Sequence, residues 1–329
     1  MDTLLWLLKV AVAWVMVTIH KALVLIGFPD GPGIAWVLSI IGLTIVVRLL
    51  IMPLFVKQIR ASRGMQLLQP ELQALQAKYK GKKDPESRQR MNEEMMALYR
   101  KHGTNPMASC LPLLVQMPVF LGLFHVLRSF NRTGTGSGQL GLSVEQNRNT
   151  ANYIFSPSDV QSFRDARLFG VPLSSYISMP ESMYQGFSGA EFTRTDIMMV
   201  AIPLILITAT ATHFVARMGV NRQKARLASG KQSAPANDQM QMQMDMMNRM
   251  MLWFMPLTIL LTGVFWQIGV LFYIVSNNIW TFFQQRFIFN KMDKEEEAEI
   301  QAKKDTQRAS APKPGVKPNN PKKNKKRRS

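Results

Sequence analysis

The chain has 329 residues and a formal net charge of +19, and its apolar residues are clumped into long stretches almost free of charge. Its single cysteine, Cys110, excludes an intramolecular disulfide, and His20, His102, His125 and His213 lack the short helical spacing of a zinc site. No glycine-rich loop ends in Gly-Lys-Ser/Thr, so the sequence points to no nucleotide hydrolysis, no cofactor and no enzyme.

Residues 1–28 are mostly apolar, and Lys9, Ala13, Met16 and His20 fall on one helical face. That pattern favours a helix lying in the membrane interface, although its length also permits a span. Proline and glycine between Phe28 and Gly33 then break the chain. Stretches at 34–56, 106–127, 197–216, 250–265 and 268–285 approach the roughly 20 apolar residues needed to cross a bilayer. The expected fold class is an all-α polytopic membrane protein with a five-helix core, its spans bounded at 29–57, 105–128, 196–217, 249–266 and 267–287.

The segment 58–104 contains two helical apolar repeats, MQLLQPELQALQAKY and RQRMNEEMMALYR, joined by GKKDPES, and reads as a helical hairpin. Asp84 is placed to cap the second helix, with Pro85 at its first position. A solvated charged coil and a docking surface both fit this pattern. From Lys57 to Lys101 basic residues outnumber acidic ones, which places the hairpin in the cytoplasm. The nearly balanced segment 129–195, rich in Gly, Ser and Asn, is then an external loop. The basic, Met-rich segment 218–248 and the tail 288–329 return to the cytoplasm, the tail being expected to be disordered.

Arg48 stands inside the first confident span, about two-thirds of the way toward its cytoplasmic end. A central arginine costs about 2.5–3.5 kcal/mol unless its head group reaches an interface, water or an anion. No acidic residue lies within a confident span as a permanent partner, which favours a water-filled cavity over an ion pair. Polar residues on the other spans include Thr44, Gln116, Thr208, Thr210, Thr212, Thr258, Thr262, Gln267, Tyr273, Ser276, Asn277 and Asn278. Most Thr and Ser hydroxyls are expected to bond back to their own helix. Gln116 and Tyr273 are the better lining candidates, one amid apolar neighbours and the other carrying a hydroxyl on a bulky ring. Prolines 53, 112, 118, 203 and 256 imply kinked spans. Met240, Met244, Met247, Met251 and Met255 form a helical stripe suited to ordinary packing or to a soft contact with varied apolar segments.

Four strings in order, VVRLLIMPLFVKQ, LQPELQALQAKY, MNEEMMALYRKHGTNPMASCLPLLVQMPVFLGLFHVL and LFYIVSNNIWTFFQQ, resemble the hallmarks of the YidC membrane protein insertases. The resemblance is to the short Gram-positive type without the large external domain, because only about 30 residues precede the core. It implies a five-helix core around a hydrophilic groove, open to the cytoplasm and to lipid and closed toward the outside. It implies a client-binding groove lined by Arg48, Gln116 and Tyr273, to which the sequence adds Thr44 and Ser276. The implied function is that of an insertase or chaperone of the bacterial plasma membrane, with nascent membrane proteins as clients and its C-terminus cytoplasmic. The basic segments suit the Sec translocon, the ribosome and anionic lipid as partners. Two other classes remain open: a small-anion transporter, for which the expected inverted repeats are not seen, and a structural assembly factor beside the translocon.

Overall fold

A computed structural model describes residues 2–29, 33–82, 84–104, 111–134, 140–187, 191–230 and 238–310. Cys110, the tail beyond residue 310 and the side chains of Pro112 and Met240 lie outside the described residues. The helices are α1 (Asp2–Leu25), α2 (Gly33–Lys78), α3 (Pro85–Lys101), α4 (Leu111–Arg128), α5 (Val144–Asn149), α6 (Pro157–Asp165), α7 (Arg194–Ala228), α8 (Asp238–Arg249), α9 (Met255–Thr262) and α10 (Ile268–Ser310). A two-residue antiparallel hairpin, β1 (Arg167–Leu168) and β2 (Val171–Pro172), is the one departure from helix, 3-10 and π turns among the named elements. The all-helical expectation therefore holds for the bundle and misses a short hairpin.

Among the described residues, four helices are long and apolar enough to cross a membrane: residues 5–25, 33–58, 194–228 and 241–265. The set includes the N-terminal helix and leaves out α10, and a count of five spans is not confirmed. For α10 the reason is visible in its composition, because Asn277, Asn278, Gln284 and Gln285 dilute its apolar run.

Small residues set how closely the helices approach. A side chain at Gly42 would meet Ile19 of α1 at 3.0 Å, and one at Gly122 of α4 would meet Val12 at 3.4 Å, so α1 lies lengthwise against both α2 and α4. Val12, Ala13, Met16 and Val17 are buried in that seam. A side chain at Gly263 would meet Ile205 of α7 at 2.8 Å. At Gly269 the start of α10 approaches Ile40 and Leu127, each 3.1 Å from where a Cβ would sit.

The hairpin follows from its caps. Asp84 accepts from the Ser87 amide at 2.8 Å, Pro85 opens α3, and α3 folds back on the end of α2. Lys78 and Tyr79 donate to Glu94 at 2.7 and 2.8 Å, and His102 lies 3.1 Å from Glu71. The backbone of α2 is continuous across 57–58 despite Pro53 and Pro70, so one helix runs from the span into the hairpin.

Residues 129–134 and 140–187, after α4, form a cap held by side-chain hydrogen bonds. Arg132 donates to Asn147 Oδ1 at 2.8 Å and to the Thr150 carbonyl at 2.8 Å, and Asn147 returns a bond to the Phe130 carbonyl at 3.0 Å. Phe130, Phe155 and Phe163 gather around the fully buried Trp36 of α2, whose indole donates to Ser162 at 3.0 Å. His20 of α1 stacks on the other side of Trp36 at 3.7 Å. One aromatic cluster thus seals the ends of α1 and α2 under the cap, burying apolar area.

The chain divides into two compact units, Met1–Thr281 and Phe282–Ser329. As far as residue 310 the second is the continuation of α10, with Phe283 and Phe287 exposed and a Glu- and Lys-rich stretch after residue 292.

Candidate functional site

Every fourth residue of α10 from Tyr273 onward is polar on one face: Tyr273, Asn277 and Thr281. That face meets α2. Arg48 is 8% exposed, and it donates from Nε and Nη2 to Asn277 Oδ1 at 2.9 and 2.6 Å. Its Nη2 also donates to Thr281 Oγ1 at 2.9 Å. Among the described residues Arg48 has no acidic partner, so neutral oxygens replace its hydration on one side of the guanidinium. A buried cation held only by neutral acceptors retains its full charge for water or a visiting anion.

One turn earlier on α10, Gln116 of α4 donates from Nε2 to the hydroxyl of Tyr273, which is 2% exposed. Phe120, one turn along α4, packs its ring 6.3 Å from that of Tyr273 and 5.9 Å from that of Trp266. Arg48 and Tyr273 are close enough to interact electrostatically. The three principal candidates are therefore brought into one neighbourhood, at the meeting of α2, α4 and α10.

Thr44 and Ser276 behave differently. Thr44 is buried one turn before Arg48, but its hydroxyl donates to the Ile40 carbonyl at 2.9 Å, and Ser276 donates to the Phe272 carbonyl at 2.7 Å. Both hydroxyls are taken up by their own helix. The same back-bonding holds for Thr208, Thr212 and Thr262. Thr212 also accepts from Asn278 Nδ2 at 2.9 Å, tying α7 to α10. Thr281 was missed from sequence, although its place four residues after Asn277 was a readable signal.

The π turn Met250–Phe254 links α8 to α9, and His213 of α7 lies with Nδ1 2.8 Å from the Leu252 carbonyl there. Such a turn widens the helix and frees a carbonyl for a neighbour. The Met stripe stays on the surface, with Met247, Met251 and Met255 exposed. Among the described residues no cluster of His, Cys, Asp and Glu could hold a metal ion.

Residues 28–296 match the family described as 60Kd inner membrane protein. A protein of Mycobacterium tuberculosis named membrane protein insertase YidC is 44% identical over 309 residues, covering 93% of this chain and 78% of that protein. Proteins of the same name from Mycobacterium leprae and Tropheryma whipplei are 41% and 34% identical, covering 93% and 84% of this chain and 76% and 81% of their own lengths.

Proposed function

Because the chain belongs to the 60Kd inner membrane protein family and is a multi-pass membrane protein, we propose that it works as a membrane protein insertase that receives clients at Arg48. The observation that carries this reading is a buried guanidinium held by Asn277 and Thr281, without an acidic partner among the described residues. Arg48, with Gln116 and Tyr273, lines a hydrophilic groove, and Thr44 and Ser276 contribute to its wall.

A client enters from the cytoplasm with its short polar segment, whose Asp or Glu is attracted to Arg48. Water and fixed polar groups around the segment lower the cost of carrying it into the membrane. Its apolar helix leaves sideways into lipid, and burial of that helix in hydrocarbon supplies the driving force. An inside-negative potential adds about 2.3 kcal/mol per negative charge moved outward per 100 mV. The exposed apolar face of α7 and the Met-rich surface of α8 and α9 support an exit on that side.

In this reading α1 crosses the membrane, since it lies along α2 and α4 and its end joins the aromatic cluster under the cap. Its N-terminus is then cytoplasmic, as are the α2–α3 hairpin and the C-terminus, and the cap of 129–187 is external. Basic cytoplasmic segments meet the ribosome, the Sec translocon and anionic lipid.

The test is insertion by the purified chain alone, in vesicles, of a single-span client whose translocated segment carries Asp or Glu, followed by protease protection. Arg48→Ala is expected to lower insertion of that client by roughly tenfold, the scale of one charge-assisted bond, and to spare a client with a neutral segment. Equal insertion of both clients by the variant sinks the proposed role of Arg48, and no insertion by the unmodified chain favours an assembly role.

A further inference from the structure

Between α6 and α7 the chain makes the tight hairpin of β1 and β2, and its two turn residues are Phe169 (φ 51°) and Gly170 (φ 82°). Glycine adopts that backbone freely, whereas a bulky residue there is an outlier held at a cost. Nothing in the fold rewards it, because Phe169 is 86% exposed. The turn is nevertheless firmly built. Arg167 donates from Nη1 to the Gly170 carbonyl at 2.9 Å and places its guanidinium 5.5 Å from the Phe192 ring. Its backbone rests on Gly33, where a Cβ would meet the Arg167 carbonyl oxygen at 2.6 Å.

The tip stands beside the exposed apolar face of α7. Leu168 and Phe169 share the wall of an open groove of about 440 Å³ with Asp196, Met199, Pro203, Ile207 and Phe272. From Asp196 to Ile207 is roughly 16 Å of helix at 1.5 Å per residue, about half the hydrocarbon thickness. The wall is apolar except for Asp196, which is turned back to cap the first turn of α7 through the Thr193 amide and hydroxyl. It continues into the exposed surface of Met199, Ile202, Leu206 and Ile207, the face of a helix long and apolar enough to cross a membrane.

We propose that the Phe169 hairpin is a wedge inserted into the bilayer leaflet at the N-terminal end of α7, and that the groove beside it holds a phospholipid acyl chain. Continuity with the lipid-facing surface of α7 selects this occupant. A buried aromatic tip recovers the cost of its backbone in hydrocarbon, where in water it would recover nothing. The wedge parts the lipids along α7, the side assigned above to client release. The inference rests on the reading of α7 as a span and not on the client role of Arg48.

Depth measurement tests it on the full chain in vesicles of phosphatidylethanolamine and phosphatidylglycerol. A nitroxide is attached at Phe169→Cys in a Cys110→Ser background, with Ile207→Cys as the lipid-facing reference and Leu140→Cys as the aqueous one. The ratio of collisions with oxygen to collisions with a water-soluble nickel chelate at position 169 is expected to match that at 207 and to exceed that at 140 severalfold. A ratio matching 140 overturns the wedge while leaving the span intact. Exclusion of both reagents, or dipolar broadening from a second copy, shows a protein occupant and overturns the acyl chain. Aqueous values at both 169 and 207 overturn the span and the wedge together. Insertion of an acidic-tailed client, measured on the same preparations, reports on Arg48 independently.

Discussion

Arg48 of α2 and Asn277 of α10 are joined by two hydrogen bonds to a single oxygen, Nε and Nη2 both donating to Oδ1 at 2.9 and 2.6 Å. Two helices separated by more than two hundred residues are thereby fastened through one side-chain carbonyl. Asn277→Leu leaves the guanidinium short of an acceptor and is expected to destabilise the chain by about 1–3 kcal/mol. In an Arg48→Leu background the same substitution should cost much less, because nothing is then left unpaired. Thermal unfolding in detergent of the four chains of this cycle decides the matter; additive losses would show that the two residues act separately.

Tyr273 and Gln116 offer a second cycle. Tyr273→Phe removes a hydroxyl that is 2% exposed with its ring and leaves the Gln116 amide unsatisfied, at about 1 kcal/mol. Gln116→Leu is expected to rescue part of that loss, whereas it should harm client insertion in the otherwise unmodified chain. Insertion unchanged by Gln116→Leu would remove this glutamine from the groove.

The cap depends on Trp36, fully buried between His20 and three phenylalanines. Trp36→Ala opens a large cavity and is expected to cost about 3–5 kcal/mol, and Trp36→Phe less, by the bond to Ser162 and part of the area. Limited proteolysis of sealed vesicles should show earlier cleavage within residues 140–187 in the Ala variant, with the α2–α3 hairpin unaffected.

The α2–α3 hairpin should respond to pH from both sides. The Glu94 carboxyl is held below its ordinary range by the hydrogen bond from Lys78 first and that from Tyr79 next, and Lys78 is raised chiefly by the same bond. The Glu94 contribution is present above its unfolded pKa of about 4.3 and is lost as pH falls through the lower folded value. The Lys78 contribution is complete below about 10.4 and is lost as pH rises through the higher folded value. Both groups are exposed, so the effect is on hairpin closure and not on the bundle. Spin-label distances between α2 and α3 are expected to lengthen at acid pH, and Glu94→Gln should flatten that dependence; an unchanged acid limb in the variant would place the response elsewhere.

Residue pattern alone carried the long apolar helical runs of α2, α7 and the α8–α9 region and the hairpin with its Asp84 cap, and it singled out Arg48, Gln116 and Tyr273 as polar residues within apolar runs. These follow from local physics: apolar length, capping chemistry, and the cost of a cation in hydrocarbon are legible in consecutive residues. The back-bonding of Thr208, Thr212 and Thr262 was expected for the same reason, since each acceptor lies four residues away, whereas Thr44 and Ser276, expected on the groove, bond back in the same way.

What pairs across the chain was not legible. Nothing in the sequence near Arg48 names Asn277 and Thr281 as its acceptors, or sets Gln116 against Tyr273, because the register between α2, α4 and α10 is decided by packing at glycines such as Gly269. The segment after α4 read as a polar loop, yet Phe130, Phe155 and Phe163 are scattered through it so that they meet only when it folds over Trp36. The exposed Phe169 was likewise invisible, since an aromatic in a short turn acquires its meaning only from the helix face it stands beside. Local cost belongs to the sequence; the partner that relieves it belongs to the tertiary fold.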